Sequence, residues 1–217
     1  MKTKHITEIQ KLSKDYLTGI FDLAEKIENN MGAVSESLQP MKGRQLASLF
    51  YENSTRTRWS FETAANKLGG KYINFSQKEG TSIMKGETLS DTIRMASEYS
   101  DIIVLRHGAD GAASHAAKNS EVPVISGGDG QHQHPTQTML DLYTIRKELG
   151  RVEDLKVAIV GDLKYGRTTH SLLYGAGMFG NDVYLVSPNE LQMPEKYKKF
   201  ARKEYGTNIR ETSRLEE

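Results

Sequence analysis

The sequence contains no cysteine and no long apolar run, and these two absences remove several classes of protein. Without cysteine, the 217-residue chain can form neither a disulfide framework nor a thiolate metal site. Its first residues, MKTKHITEIQKLSKDYL, lack the apolar core of a signal peptide, and no later apolar stretch approaches bilayer length. We therefore expect a cytoplasmic protein with no membrane partner.

The chain also lacks a dominant charge of either sign. Its 29 basic and 28 acidic residues leave a net charge of +1, and its hydrophobic fraction of 37% is ordinary for a globular protein. No global field therefore favours nucleic acid as a partner, and any anion must be bound by a local cluster. Because the histidines show no paired-ligand spacing, we predict no metal, and we also predict no cofactor.

An amphipathic helix or helix pair is predicted at residues 6–29, and a polar loop follows up to Pro40. After this loop, short apolar runs alternate with helical patterns. Strands are predicted at residues 45–51, 71–75, 101–105, 122–125, 156–160 and 182–186. Helices are predicted at residues 59–68, 89–99, 111–118, 135–149, 167–178 and 195–205. In the first of these helices, the stripe that faces the sheet is predicted to be Phe61, Ala64, Ala65 and Leu68. The alternation predicts an α/β fold with parallel sheet and helices on both faces.

The sequence GRVEDL, after the helix predicted at residues 135–149, is interpreted as a hinge. It would separate a first domain at residues 1–149 from a second domain at residues 150–217. Only two strands are predicted after this hinge, too few for an independent sheet. The pattern SRLE at residues 213–216 is a capping box, which is typical of a helix about to start. We therefore expect an incomplete second domain and a C-terminally truncated chain.

The segment STRTR at residues 54–58 follows a predicted strand and opens a predicted helix. Ser54 or Thr55 can cap that helix and leave backbone N–H groups pointing outward, which makes a ready anion site. Arg56 adds a planar fork of donors suited to phosphate oxygens. The alternative is an ordinary helix cap with solvated arginines, and the segment alone does not decide between the two.

Further polar side chains stand where predicted strands end and helices begin. Arg106 ends a strand, and His134 and Gln137 lie in the first turn of a helix. Open α/β sheets bind their ligands at this edge. A lone histidine at such a place is more often a cap or a packing residue, but the repetition at several strand ends favours a binding site.

The polar loop QKEGTSIMKGE at residues 77–87 is long for a connection between a strand and a helix. Loops of this kind are often functional lids, and this one would supply the hydroxyl of Ser82 and the cation of Lys85. If this segment is considered alone, the favoured interpretation is an ordinary solvated loop.

Two glycine-rich stretches look like nucleotide-binding motifs without completing them. GDLKYGRT at residues 161–168 nearly matches the Walker A pattern, but Arg167 stands where a lysine is required. GAGMFG at residues 175–180 formally matches GxGxxG, but it lies at the end of a predicted helix, and we interpret it as a helix cap. A P-loop nucleotide hydrolase is therefore disfavoured.

Five motifs, in this order along the chain, resemble those of one family. They are STRTR at 54–58, SxxKGETLSDT at 82–92, VLRH at 104–107, GDGQHQHPTQTMLDLYTI at 128–145 and GDLKYGRTTHSL at 161–172. They resemble the catalytic chains of the aspartate carbamoyltransferase branch of the aspartate/ornithine carbamoyltransferase superfamily. The resemblance implies two parallel-sheet α/β domains, a carbamoyl-phosphate domain and an incomplete aspartate domain. The implied reaction transfers the carbamoyl group of carbamoyl phosphate to the amino group of L-aspartate, in de novo pyrimidine biosynthesis.

The resemblance also implies roles for individual residues. Those implied for catalysis are Arg56, Thr57, Lys85, Arg106 and His134. Those implied for binding carbamoyl phosphate are Ser54, Thr55, Arg56, Thr57, Ser82, Lys85, Arg106, His134 and Gln137. Those implied for binding aspartate are Lys85 and Arg167, whereas Arg58 is expected to be structural.

The family further implies a homotrimer with shared active sites, because Ser82 and Lys85 would reach into the site of a neighbouring subunit. It leaves open whether regulatory chains bind. The second aspartate-binding arginine of the family would lie beyond Glu217, so we expect this chain to be inactive alone. The alternatives are an ornithine or other carbamoyltransferase and a non-catalytic binding or assembly relative.

Overall fold

The structure is a computed structural model that describes residues 5–75 and 85–214. The chain separates into two compact units, one formed by residues 5–7 with Gly19–Gly130 and the other by Glu8–Thr18 with residues 131–214. The functional division expected at residues 149 and 150 stays a prediction. No helix in the part of the chain that the structure describes is both long and apolar enough to cross a bilayer.

The first unit is built on one parallel sheet. Its strands are β1 (Gln45–Phe50), β2 (Lys71–Phe75), β3 (Ile102–His107) and β4 (Val124–Asp129), in the order β2–β1–β3–β4. Its helices are α1 (Lys14–Asn29, whose residues up to Thr18 belong to the second unit), α2 (Met31–Ala33), α3 (Arg56–Lys67), α4 (Leu89–Tyr99) and α5 (Ala112–Lys118). A π-helical turn at Val34–Leu38 follows α2, so the segment predicted as a polar loop is largely helical.

Apolar side chains pack on both faces of this sheet, because neighbouring residues of a strand point to opposite sides. With α4 and α5, one face forms a core of Ala47, Leu49, Ile93, Ala96, Ile103, Leu105, Ala116 and Val124. With α3, the other face forms a smaller core of Leu46, Phe50, Ala65 and Val104. The predicted parallel sheet with helices on both faces is confirmed in this unit.

The helix α3 presents a different stripe to the sheet from the one predicted. Ala64 is exposed, whereas Glu62 and Ala65 are buried, so the prediction for Ala64 was wrong. Glu62 can be buried because its carboxylate accepts hydrogen bonds from Ser48 Oγ on β1 at 3.0 Å and from Asn74 Nδ2 on β2 at 2.9 Å. A polar contact therefore replaces part of the expected apolar one.

The second unit contains a parallel three-stranded sheet. Its strands are β5 (Lys156–Val160), β6 (Asp182–Val186) and β7 (Ile209–Thr212), in the order β5–β6–β7. Its helices are α6 (Pro135–Leu149), α7 (Arg167–Met178) and α8 (Glu195–Tyr205), with 3-10 turns at Ile9–Lys11 and Asn189–Leu191. The sequence does not predict β7, because IRET contains a single apolar residue. A second parallel-sheet α/β unit completes the predicted fold class.

Small residues let α7 lie close to its neighbours in this unit. A methyl group at Gly175 would overlap Thr138 of α6, and one at Gly177 would overlap the hydroxyl of Thr207. The helix ends at Met178, and Gly180 follows with a φ of 71°, a conformation that favours glycine. The GxGxxG pattern is thus a helix end with close packing, as predicted. The predicted helix start at residues 213–216 falls mostly outside the described residues.

Candidate active site

The carboxyl ends of β1 and β3 lie side by side in the first unit. Phe50 stands opposite Arg106 in the parallel register, and the N–H of Tyr51 donates to the carbonyl of Arg106 at 2.9 Å. The loop that leads from β1 to α3 therefore starts next to the side chain of Arg106. This is the edge at which parallel α/β sheets bind ligands.

Arg106 and Thr57 converge on one glycine. Arg106 Nη1 donates to the carbonyl of Gly127 at 3.1 Å, and its Nε lies 3.4 Å from Glu52 Oε2. A Cβ atom placed on Gly127 would lie 3.5 Å from the methyl group of Thr57, an ordinary van der Waals contact. Thr57 and Arg106, which are 49 positions apart in sequence, therefore lie around the same backbone segment.

The start of α3 concentrates positive charge. Thr55 precedes its first residue, and no side chain caps the helix by a hydrogen bond. Arg56 is exposed, and no side chain among residues 5–75 and 85–214 pairs with its guanidinium. The amino end of a helix is itself equivalent to about half a positive charge. A guanidinium beside it is therefore expected to favour a bound anion.

The neighbouring residues of the STRTR segment divide into two environments. Ser54 and Thr57 are half-buried, whereas Thr55 is exposed. Arg58 Nε lies 3.8 Å from Glu62 Oε1, one helical turn further on. This ion pair gives Arg58 a contact inside α3, in agreement with its expected structural role.

The loop before α4 contributes Lys85, which is exposed. The helix itself is capped by Thr88, whose Oγ1 accepts a hydrogen bond from the N–H of Asp91 at 3.2 Å. The other residue predicted from this loop, Ser82, lies outside the described residues.

The second unit places His134 and Gln137 at the start of α6. His134 is the residue before the first helical position, which Pro135 occupies, and it is 7% exposed. Its N–H donates to Ser171 Oγ at 3.2 Å, so α7 holds its backbone. Gln137 Nε2 donates to Asp141 Oδ1 at 2.9 Å. Burial raises the pKa of Asp141, and this hydrogen bond opposes the shift.

The loop from β5 to α7 ends at Arg167, which is half-buried in the first turn of the helix. Asp162 Oδ1 accepts from the N–H groups of Lys164 at 3.0 Å and Tyr165 at 2.9 Å. These two N–H groups therefore face a carboxylate of the loop itself, whereas a Walker A loop turns such groups toward phosphates. The geometry agrees with the prediction against a P-loop.

Two contacts of this region are not predicted by the sequence, those of Glu52 with Arg106 and of Glu62 with Ser48. The sequence offers one weak indication for Glu52, which is its position in the loop just before STRTR. Across residues 5–75 and 85–214, no group of three histidine, aspartate or glutamate side chains lies close enough together to hold a metal ion.

Two family profiles cover most of the chain. The profile described as aspartate/ornithine carbamoyltransferase, carbamoyl-P binding domain, matches residues 4–147. The profile described as aspartate/ornithine carbamoyltransferase, Asp/Orn binding domain, matches residues 153–217. The chain therefore belongs to the aspartate/ornithine carbamoyltransferase family, and the resemblance seen in the five motifs is confirmed.

The relatives lie in the aspartate branch of that family. The aspartate carbamoyltransferase catalytic subunit of Parabacteroides distasonis is 49% identical over 94% of this chain, which spans only 65% of the length of that relative. The catalytic subunit of M. jannaschii aspartate transcarbamoylase superposes with a TM-score of 0.89 and 46% identity, over 99% of this chain and 70% of that one. The Trypanosoma cruzi enzyme, solved with carbamoyl phosphate and aspartate, gives 0.90 and 39% over 99% of this chain and 72% of that one.

Proposed function

We propose that the chain carries the carbamoyl-phosphate half, and the beginning of the aspartate half, of an enzyme that makes N-carbamoyl-L-aspartate and phosphate. The observation that carries the proposal is the convergence of Thr57 and Arg106 on Gly127, beside a helix start that bears Arg56. In this proposal, residues 1–149 form the carbamoyl-phosphate domain, and residues 150–217 form part of the aspartate domain. The proposed cellular place of the reaction is the cytoplasm, within pyrimidine biosynthesis.

The phosphate group would be held by the start of α3. Backbone N–H groups there, with the hydroxyls of Ser54, Thr55 and Thr57, suit phosphate oxygens, and Arg56 supplies a bidentate fork. Arg106 adds a second guanidinium, which is 15% exposed at its side chain and already fixed by Gly127. A dianion bound here would also resolve the electrostatic conflict of a cation at the positive end of a helix.

The carbamoyl group would be polarised by three donors, Thr57, Arg106 and His134, while Gln137 contacts its amide nitrogen. When the amine of aspartate attacks the carbonyl carbon, negative charge grows on the carbonyl oxygen, and the bond to the phosphate oxygen then breaks. Donors fixed in advance at such an oxygen contribute about 3–4 kcal/mol each to catalysis. No covalent nucleophile is required, and the departing phosphate can take the proton of the amine.

Aspartate would be held through its carboxylates by Arg167 and Lys85. Ser82 and Lys85 are proposed to act in the site of a neighbouring subunit, so the active assembly would be a homotrimer with shared sites. Two anionic substrates then lie side by side, with their charges balanced by cationic side chains, which lowers the entropic cost of their encounter.

A titration tests the binding part of the proposal on the chain as it stands. Phosphate and carbamoyl phosphate should shift the backbone amide NMR signals of residues 54–57, 106 and 127, and leave those of the exposed helix around Arg94 unchanged. Shifts confined to other surfaces would overturn the proposed phosphate site.

An activity assay tests the substrate. Carbamoyl phosphate is offered with aspartate or with ornithine to the chain and to the full product of the gene that encodes it. Formation of carbamoyl aspartate by the full gene product is expected. Carbamoyl ornithine as the sole product would contradict the assignment to aspartate and would favour the ornithine branch.

A further inference from the structure

His170 is a buried histidine that the proposed chemistry does not use. It lies in the first turns of α7 and is 1% exposed. Its ring stacks on that of Tyr197 in α8, with centroids 3.9 Å apart and planes 16° from parallel. An imidazole in so enclosed a place needs hydrogen-bond partners for its nitrogens.

Both ring nitrogens face backbone carbonyls. Nδ1 lies 2.8 Å from the oxygen of Gln131, and Nε2 lies 3.0 Å from the oxygen of Leu163. A carbonyl oxygen can only accept, and a neutral imidazole has a single N–H. The neutral ring would therefore turn one nitrogen lone pair against a carbonyl lone pair, whereas the imidazolium donates to both oxygens.

The surroundings contain influences of both signs on this ring. Burial is the largest influence and leaves the pKa of His170 below its usual value of 6.5, and the ammonium of Lys196 lowers it further, whereas backbone hydrogen bonds with Gln131, Leu163 and Lys164 raise it. The two carbonyl contacts oppose this lowering, because only the doubly protonated ring can donate to both oxygens. Tyr197 of α8, which stacks on the ring, lies in turn against Tyr174 of α7, and burial raises the pKa of Tyr174, so this phenol is neutral. A cation stacked on an electron-rich phenol ring gains further attraction.

The two carbonyls belong to the two segments that lead to proposed site residues of this unit. Gln131 precedes His134 by three positions, and Leu163 precedes Arg167 by four. We propose that His170, as an imidazolium donating from both ring nitrogens, is a positioning residue that ties the segment before His134 to the loop before Arg167. The roles of His134 and Arg167 rest on the proposed function, whereas the tie itself does not.

The charge of the ring can be read directly from the nitrogen NMR signals of the histidines in the 217-residue chain. At about pH 7, both nitrogens of His170 should give the shifts of protonated nitrogen. His5 and His107 serve as internal references, because their Nδ1 atoms accept hydrogen bonds from Val124 N–H at 3.2 Å and Ala109 N–H at 3.0 Å. A bare nitrogen in the His170 ring, like those of the two references, would overturn the proposal.

Two substitutions at His170 each remove one of the two hydrogen bonds of the ring and keep the other. In His170→Asn, the side-chain amide lies near the place of Nδ1 and can still donate to Gln131. In His170→Gln, the amide lies near the place of Nε2 and can still donate to Leu163. The first variant should release the loop before Arg167, and the second should release the segment before His134.

Hydrogen exchange measures these releases. His170→Asn should speed exchange of the Leu163 amide by roughly fivefold to tenfold, and His170→Gln that of the His134 amide, as expected for the loss of one hydrogen bond. His115→Asn, on an exposed helix face, is the matched control and should change neither amide. Equal effects of the two variants on both amides, or no effect on either, would contradict the tie. Neither readout uses a substrate, so failure of the carbamoyl-transfer proposal would leave this result intact.

Discussion

The first strand–loop–helix segment of each unit follows the same plan, and their difference indicates which one is suited to an anion. β1 leads to α3, which begins at Arg56, and β5 leads to α7, which begins at Arg167. In the second loop, the carboxylate of Asp162 accepts two backbone N–H groups of the loop itself. In the first loop, Glu52 instead pairs with Arg106 of the neighbouring strand. The second loop thus commits two of its own backbone donors to a carboxylate, whereas the carboxylate of the first loop pairs with an arginine of the neighbouring strand.

The two helices also attach to their units in different ways. α3 uses a buried carboxylate, since Glu62 accepts from Ser48 and Asn74 on the sheet. α7 uses small residues, since Gly175 allows Thr138 of α6 to approach its backbone. A polar anchor fixes the direction of a helix through a few hydrogen bonds, while close packing fixes it through shape. We expect the segment with the precise polar anchor to be the one that binds phosphate.

The largest expected effect is on phosphate affinity. Arg56→Lys keeps the charge but loses the bidentate fork, so the affinity of the chain for phosphate should fall by about tenfold to a hundredfold, the range of one or two charge-assisted hydrogen bonds. Calorimetric titration measures it. Arg167→Lys, the same change at the equivalent position of the second segment, should leave phosphate affinity within about twofold. Equal losses in the two variants would show that the two helix starts are equivalent.

The next effect concerns the polar anchor. Glu62→Ala leaves the hydroxyl of Ser48, which is fully buried, and the amide of Asn74 without their common acceptor. The free energy of unfolding of the first unit should fall by about 2–4 kcal/mol. Urea unfolding followed by fluorescence reports on this unit, because the single tryptophan of the chain, Trp59, lies in α3. An unchanged midpoint would show that the carboxylate does not anchor the helix.

The corresponding change in the second unit is Gly175→Ala. The added methyl group overlaps Thr138 and approaches Leu142 Cδ1 to 3.0 Å, so the unit should lose about 1–3 kcal/mol of stability. Hydrogen exchange of the α7 amides measures the loss. Gly19→Ala in α1 is the control, because a methyl group there meets no atom within 4 Å and should stabilise the helix by about 0.5–1 kcal/mol. A stabilised Gly175→Ala variant would exclude close packing as the anchor of α7.

Sequence patterns predict this fold well where one periodicity dominates. The strands at Lys156–Val160 and Asp182–Val186 and the helix at Pro135–Leu149 have the predicted bounds, because apolar runs and a helix-starting proline mark them. β7 is missed, since a short, mostly polar strand carries no periodic signal. Periodicity places Ala64 on the buried face of α3 because it favours apolar residues, whereas the hydrogen bonds that allow Glu62 to be buried come from β1 and β2.

In the candidate site too, some features follow from local sequence pattern and others do not. The positions of Arg56, Arg106 and His134 at strand ends and helix starts follow from local pattern, because the order of elements fixes the edge of the sheet on which loops emerge. Other contacts join residues that are distant along the chain. Glu52 pairs with Arg106, and both ring nitrogens of His170 face backbone carbonyls, those of Gln131 and Leu163. Such contacts depend on tertiary placement, which no local pattern contains.

The smallest expected effect concerns the starts of the two first strands. Before β1, Asp101 Oδ2 accepts a hydrogen bond from the N–H of Gln45 at 2.9 Å. Before β5, Asn181 Oδ1 accepts one from the N–H of Leu155 at 2.8 Å. A charged side chain thus accepts the backbone N–H at one strand start, and a neutral side chain does so at the other. The hydrogen bond from Arg44 and that from Gln45 lower the pKa of Asp101 below its usual value of 3.8. A lowered carboxyl pKa stabilises the fold above about pH 4, and this contribution is lost as the pH falls through the folded-state value.

Asp101→Asn imitates the neutral arrangement of the second unit and tests this difference. The variant should lose about 0.2–1 kcal/mol at pH 7, as for an exposed ion pair, because Asp101 is only partly shielded from solvent and Arg44 is exposed. At a pH low enough to protonate this carboxyl in the folded as well as the unfolded chain, the wild type and the variant should unfold at the same urea concentration. Tryptophan fluorescence follows the unfolding of the first unit at both pH values. A stability difference that persists in acid would show that the hydrogen bond to Gln45, and not the charge of Asp101, distinguishes the two strand starts.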